Sequence, residues 1–131
     1  MQNLDTLLEC SQKVRVLYIE DNKTARESTF GLLQNIFKNV TVAVDGEDGL
    51  RQFIDNTTAY DLIISDINMP NMDGRELVKK IREIDTDIKI FILSAYSELE
   101  SNLIEQIEAY LFKPIDFTHL LQEVQKHFAD L

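Results

Sequence analysis

The sequence predicts a single α/β domain in which a parallel β-sheet is covered by helices on both faces. A chain of 131 residues has room for one ordinary domain. Five apolar, strand-like runs alternate with segments whose apolar residues recur every three to four positions. Most of these strand-like runs are almost continuously apolar, which is typical of strands that are buried on both faces.

The first unit of this pattern covers residues 14–44. Residues 14–19, VRVLYI, are predicted to form the first strand because they are apolar and β-branched except at Arg15. Glu20 and Asp21 end this strand. A second strand is predicted over residues 40–44, and the helix between the two strands is predicted over residues 24–37. The apolar face of that helix carries Phe30, Leu33, Ile36 and Phe37.

The second unit contains the third strand and a loop rich in turn residues. A helix is predicted to begin at Asp45 or Gly46 and to end at residues 56–58, which are poor helix formers. Residues 62–64 then form a strand that delivers Ser65 and Asp66 to its carboxyl end. The loop INMPNMDG follows, bracketed by Pro70 and Gly74. The next helical face carries Leu77, Val78 and Ile81.

The final part of the chain repeats the alternation twice. Strands are predicted over residues 88–93 and 109–112, with a short helix over residues 97–107 between them. Lys113 and Pro114 stop the last strand. The last helix is predicted from about Asp116, a plausible cap, to Phe128. Residues 1–13 are expected to be an N-terminal extension, helical by the spacing of its leucines, and residues 14–131 to form the domain.

Composition excludes several classes of function. Thirteen Lys and Arg residues stand against 23 Asp and Glu residues, and the resulting net charge of -10 repels phosphate backbones and anionic membranes. We therefore expect no direct nucleic-acid partner and no membrane partner. The single cysteine, Cys10, cannot form an internal disulfide. The chain carries neither an export-type leader pattern nor an apolar run of about 18 residues. A cytoplasmic location is expected.

The candidate site lies where the predicted strands end. In a doubly wound sheet, ligands bind outside the carboxyl ends of the strands. The side chains expected there are Glu20, Asp21, Asp66, Ser94 and Lys113. Three carboxylates brought together repel one another, and Mg²⁺ relieves that repulsion because it prefers carboxylate, carbonyl, water and phosphate oxygens. Asp66 could then act as a nucleophile toward a phosphoryl donor and form an acyl phosphate. Lys113 and Ser94 would stabilise two of the phosphoryl oxygens.

Residues 14–128 resemble a receiver domain of the two-component response regulators, of the kind found in chemotaxis regulators. The order of the acidic pair, the aspartate, the hydroxyl and the Lys-Pro pair at four independent strand ends carries this resemblance. It implies a flavodoxin-like (βα)5 fold with a doubly wound, five-stranded parallel sheet in the order 2-1-3-4-5.

The resemblance also implies a role for each site residue. Asp66 matches the phosphoacceptor, and Lys113 and Ser94 match the residues that assist it. Ser94 and Tyr110 match the switch pair. The residues that match the family's Mg²⁺ ligands are Glu20 acting through water, Asp21, Asp66 and the backbone carbonyl of Asn68.

The implied function is signalling rather than enzymatic turnover of free substrates. A sensor histidine kinase or a histidine phosphotransfer protein would supply the phosphoryl group to Asp66, and the domain would catalyse its own phosphorylation and dephosphorylation. The surface of the fourth helix, fifth strand and fifth helix, counted from the first strand, would then control a downstream protein or output domain. Dimerisation on phosphorylation is a further expectation from the family.

Three other functions compete with this assignment. A flavodoxin-type electron carrier needs a phosphate loop rich in glycine and hydroxyl residues after the first strand, where this chain has EDNKTAR. A haloacid-dehalogenase-type phosphatase needs a second acid where Asn68 stands. A phosphorylation-independent receiver-like binding module stays open as the alternative, although such modules normally lack one of the acids or the lysine.

The chain departs from the family pattern in two places. Glu20 stands where an aspartate is commoner. Only 18 residues separate Ser94 from Lys113, about three fewer than expected, and the usual glycine turn before the fifth strand is missing.

Overall fold

The computed structural model describes residues 4–95 and 101–129 and shows one five-stranded parallel sheet with helices on both faces. The strands are β1 (Arg15–Ile19), β2 (Asn39–Ala43), β3 (Leu62–Asp66), β4 (Lys89–Ser94) and β5 (Ala109–Phe112). The helices are α1 (Leu4–Ser11), α2 (Lys23–Gln34), α3 (Gly46–Asp55), α4 (Gly74–Ile84), α5 (Ser101–Ile104) and α6 (Phe117–Phe128).

The strand order is β2-β1-β3-β4-β5, which confirms the predicted doubly wound sheet. The register is parallel throughout, with Ile19 opposite both Ala43 and Ser65. Farther along the sheet, Ser94 pairs with Phe112. The carboxyl ends of the strands therefore lie along one edge of the sheet, where a doubly wound fold binds its ligands.

The core consists of two apolar layers, one on each face of the sheet. Val16 and Tyr18 of β1 face the layer that contains α2 and α6, and Leu17 and Ile19 face the layer that contains α3 and α4. All five residues of β3 are buried. The central strands are thus covered on both sides, as their almost continuous apolar character predicts.

Four helices begin at a side-chain cap. In each case the side chain of the residue before the helix accepts a hydrogen bond from a backbone N–H three positions later. The capping residues are Asn22, Asp45, Asp73 and Asp116.

Helix α2 ends at Gln34, so the predicted end at residue 37 is wrong. The backbone N–H groups of Ile36 and Phe37 both bond to the carbonyl of Leu33, at 3.0 and 2.8 Å. This tight turn ends the helix while Ile36 and Phe37 stay buried. The spacing of Ile36 and Phe37 therefore predicts correctly that both side chains are buried, but it does not predict that their backbone leaves the helix.

The bounds of β1, β2 and β4 each differ from the prediction by one residue. Strand β1 begins at Arg15, whereas Val14 precedes it. Strand β2 ends at Ala43, because the N–H of Val44 bonds to the Asp48 carboxylate at 2.9 Å and Val44 is half exposed. Strand β4 runs from Lys89 to Ser94.

The connection into β5 is closed by a cluster centred on Arg82, which we call the Arg82 anchor. The guanidinium of Arg82 donates to the carbonyls of Gln106 and Ile88, both at 2.7 Å, and to the Glu108 carboxylate at 3.2 Å. Glu108 also accepts from the N–H of Ile90 at 2.7 Å. The anchor therefore ties α4 to the starts of β4 and β5, where the sequence lacks the usual glycine turn.

The short helix before β5 ends earlier than predicted. Helix α5 ends at Ile104 rather than at residue 107, and the carbonyl of Gln106 points into the Arg82 anchor instead of continuing a helix. The predicted helix start at Ser97 lies outside the described residues.

Helix α1 lies against α6. Ser11 at its end is fully buried, and its hydroxyl contacts the carbonyls of Ile36 and Leu8 at 2.6 and 3.0 Å. The Cys10 thiol lies 3.3 Å from the carbonyl of Phe128. Within the described part of the chain, none of the helices combines the length and apolar character needed to cross a bilayer.

The loop between β3 and α4 is held close to the sheet by Gly74. The N–H of Gly74 bonds to the carbonyl of Ile67 at 2.8 Å. A Cβ at position 74 would lie 2.7 Å from the carbonyl oxygen of Asp66 and 2.8 Å from Cα of Ile67. These are backbone atoms that cannot rotate away, so the position requires glycine. Asn71 in the same loop adopts a left-handed conformation with φ of 67°.

We predict that Gly74→Ala lowers the free energy of unfolding by about 2 kcal/mol, because the added methyl group overpacks rigid backbone. Gly31→Ala is the matched control, since a Cβ at this exposed position in α2 meets nothing within 4 Å. It should raise stability by about 0.5–1 kcal/mol through helix propensity. Denaturant unfolding of both variants measures the difference, and a Gly74→Ala variant as stable as wild type would contradict the steric argument.

Candidate functional site

Three carboxylates converge at the carboxyl ends of β1 and β3. Glu20 and Asp21 directly follow β1, and Asp66 is the last residue of β3. One oxygen from each of the three carboxylates lies within 4.8 Å of the others. Glu20 is only 1% exposed and Asp66 only 7%, whereas Asp21 is partly exposed. The sheet therefore brings together the acidic residues that the sequence places at separate strand ends.

Lys113 supplies the positive charge at the centre of this cluster. Its Nζ lies 3.1 Å from Oε1 of Glu20 and 2.9 Å from Oδ1 of Asp66. The backbone N–H of Lys113 bonds to the carbonyl of Ser94 at 2.8 Å, which fixes the root of the side chain beside β4. Three carboxylates and one ammonium leave a formal charge of -2, which a divalent cation would neutralise.

Backbone groups around the acidic pair are also hydrogen bonded. Oε2 of Glu20 accepts from the N–H of Asn22 at 3.3 Å. The guanidinium of Arg26 donates to the carbonyls of Glu20 and Asp21, at 2.9 and 3.3 Å. Sequence reasoning missed Arg26. The available signal was an arginine one turn into the helix that follows the acidic pair, within reach of the turn before it.

The protonation of the site follows from burial and charge. Burial raises the pKa of Glu20 above its ordinary value, and the negative charge of Asp66 raises it further, while Lys113 offsets part of the effect. Burial by itself would lower the pKa of Lys113. Its hydrogen bonds and charge interactions with Asp66 and Glu20 outweigh burial, so the pKa of Lys113 lies above its ordinary value. Lys113 is therefore an ammonium at neutral pH.

The donor set fits a hard divalent cation. Carboxylate oxygens are the protein ligands that Mg²⁺ prefers, and here three of them approach one point. Asn68, predicted to offer its backbone carbonyl, is an exposed loop residue two positions after Asp66. These residues could hold Mg²⁺ together with water and phosphate oxygens.

The two predicted switch residues lie on the adjacent strands β4 and β5. Ser94 is buried at the end of β4. Tyr110 is partly buried in β5, opposite Ile92 of β4, and its ring lies 5.6 Å from the ring of Phe112. Phe112 is 43% exposed. Tyr110 therefore lies between the core and an aromatic side chain at the surface.

Comparisons with known proteins agree with this geometry. The family model of the response regulator receiver domain matches residues 16–125. A receiver domain protein from Clostridium thermocellum has a similar structure, with a TM-score of 0.80 and 25% identity over 88% of this chain and 94% of that chain. The response regulator protein TrrA from Thermotoga maritima, solved in complex with Mg²⁺ and BeF, gives a TM-score of 0.75 and 33% identity, covering 87% of this chain and 98% of that chain.

A curated relative is much longer than the region that matches this chain. The transcriptional regulatory protein ZraR from Salmonella typhimurium is 31% identical over 121 residues, which cover 89% of this chain but 27% of ZraR. The chain thus spans about a quarter of the length of that relative. The family match, the sheet order and the converging acids support one assignment. This chain belongs to the receiver domain family of the two-component response regulators.

Proposed function

We propose that this domain accepts a phosphoryl group on Asp66 and relays that event to a partner through its surface around β5. The observation that carries the proposal is the convergence of three carboxylates and Lys113 at the carboxyl ends of β1, β3 and β5. A buried cluster of this charge has no evident structural advantage, because ion pairs in such surroundings contribute little net stability.

The proposed reaction is phosphoryl transfer from a phosphohistidine. A carboxylate oxygen of Asp66 attacks phosphorus, an O–P bond forms, and the P–N bond breaks with its electron pair returning to the imidazole nitrogen. Mg²⁺ bound at Asp21, Asp66, the Asn68 carbonyl and, through water, Glu20 would neutralise charge on the transferring group. Lys113, already within 2.9 Å of Asp66, would stabilise a phosphoryl oxygen. Hydrolysis of the acyl phosphate by water would reset the domain.

The state of the partner surface would depend on Ser94 and Tyr110. A phosphoryl group on Asp66 adds a charge of about -1.5 to -2 and new hydrogen-bond acceptors close to the end of β4. A hydrogen bond from Ser94 to this group would move the Ser94 side chain inward and leave space for the Tyr110 ring. The equilibrium between two arrangements of the β5 surface would shift accordingly.

The partners are proposed from the family. A sensor histidine kinase or a histidine phosphotransfer protein would donate the phosphoryl group, and a downstream protein or output domain would respond, with dimerisation as one form of response. A cytoplasmic location suits such partners. The domain would not turn over free substrates as an enzyme does.

We predict that wild-type protein incubated with a small phosphodonor gains about 80 Da, the mass of one phosphoryl group, only when Mg²⁺ is present. Asp66→Asn should show no gain, because it removes the nucleophilic oxygen. Intact-mass spectrometry measures both. Asp55→Asn is the matched control, since it removes the same charge from an exposed position at the end of α3 and should behave as wild type.

The same experiment separates the proposal from its alternative. A phosphorylation-independent binding module would show no mass gain with or without Mg²⁺. A gain that persists in Asp66→Asn would assign the phosphoryl group to another residue and would contradict the proposed site.

We predict that Tyr110→Ala leaves phosphorylation of Asp66 intact but reduces the response of the β5 surface. The response is measured as the chemical-shift change of Phe112 and Ile104 when phosphodonor and Mg²⁺ are added. The change should fall by at least about half, because the ring that repositions is absent. Tyr60→Ala removes another partly buried ring, outside β5, as control. Equal responses in wild type and Tyr110→Ala would rule out a tyrosine switch.

A further inference from the structure

Glu20 has a second role in the site, toward Lys113. Both oxygens of Glu20 have protein partners, and each oxygen keeps a second lone pair that could accept a hydrogen from water. Oε1 lies 3.1 Å from Nζ of Lys113, and Oε2 accepts the N–H of Asn22 at 3.3 Å. Hydrogen bonds thus hold both oxygens of the Glu20 carboxylate.

The two partners of this ion pair differ in exposure to solvent. The side chain of Glu20 is 2% exposed, whereas that of Lys113 is 31% exposed. A lysine side chain has four rotatable bonds and readily extends into water. Of the two carboxylates that hold the ammonium, Asp66 is the proposed phosphoacceptor and changes chemically during the reaction. Glu20 is the partner that keeps its charge throughout.

We propose that Glu20 is a positioning residue that holds the ammonium of Lys113 beside Asp66, independently of the chemical state of Asp66. The length of the Glu20 side chain is essential to this role. An aspartate at position 20 would withdraw the carboxylate by about one C–C bond, roughly 1.5 Å, and the contact would then exceed hydrogen-bond distance. This inference rests on the proposed function only for its consequence, which is a ready phosphoryl-oxygen donor at Asp66.

The test observes the Lys113 ammonium directly. In nuclear magnetic resonance spectra recorded in Mg²⁺-free, mildly acidic buffer at low temperature, an ammonium held by two carboxylates exchanges its hydrogens slowly and gives its own signal. The loss of that signal in Lys113→Arg assigns it. We expect Glu20→Asp to speed the exchange by about tenfold, as loss of one charge-assisted hydrogen bond requires.

Two further variants separate contact from charge. Glu20→Gln keeps the length and one acceptor oxygen but loses the charge, so its exchange should fall between wild type and Glu20→Asp. Asp21→Asn removes the same charge from the same cluster without touching the Glu20 contact, and its exchange should match wild type. Exchange in Glu20→Asp within about twofold of wild type would overturn the proposal. So would an effect of Asp21→Asn as large as that of Glu20→Asp, or a wild-type ammonium too fast to observe.

The Asp66→Asn background keeps the proposal testable if a single variant folds poorly. Here Glu20 is the remaining charged partner of the two that contact the ammonium, and the amide oxygen at position 66 is a weaker, neutral acceptor. The Lys113 signal should therefore persist, and it should disappear when Glu20→Asp is added. Disappearance in Asp66→Asn alone would show that Glu20 does not suffice as an anchor.

The phosphorylation assay distinguishes this inference from the proposed function. The ammonium measurement uses no phosphodonor and no metal, so slow exchange in a protein that takes no phosphoryl group would refute the proposed function and leave the inference standing. If phosphorylation proceeds while Glu20→Asp leaves exchange unchanged, the inference alone fails. If the proposed function and the role of Glu20 are both correct, Glu20→Asp should be phosphorylated several-fold more slowly than wild type. Asp55→Asn should be phosphorylated at the wild-type rate.

Discussion

The charge balance between Lys113 and the carboxylates of Glu20 and Asp66 is the constraint on which the site depends. Removing one partner of a buried pair leaves an uncompensated charge and typically costs about 3–5 kcal/mol, whereas keeping all partners is close to neutral for stability. The arrangement is therefore stable only as a set. With Asp21 counted, the cluster keeps a formal charge of -2, which a divalent cation would neutralise.

The parallel sheet produces this set from short, separate pieces of sequence. The three carboxylates, Ser94 and Lys113 each follow or end a strand, and the register places those strand ends on one edge. The apolar layers on both faces fix the strands, and hence the carboxylates, without contributing any group to the chemistry. Gly74 also shapes the site, because only a residue without Cβ allows the loop after Asp66 to lie against the end of β3.

Much of this architecture is predictable from sequence. The order of the strands was predicted from the family resemblance. The alternation of strands and helices and the buried helix faces were predicted from the spacing of apolar residues, and the acidic cluster from the residues at the strand ends. The predicted end of α2 failed because Ile36 and Phe37 are buried through a turn, and apolar spacing does not distinguish a turn from a helix. Side-chain contacts between residues that are far apart in the sequence could not be predicted. The direct contact of Glu20 with Lys113 spans 93 positions. Arg26 bonds to backbone carbonyls, and its place one turn into α2 was the only sequence signal for that contact.

The Arg82 anchor has a mechanical consequence for the last strand. Strand β5 has only four residues, with Glu108 tied to Arg82 and Ile90 just before it and Lys113 bonded to Ser94 just after it. A strand clamped at both ends cannot slide along its neighbour. A rearrangement of β5 would therefore be confined to rotation of its side chains, while its backbone keeps its position beside β4.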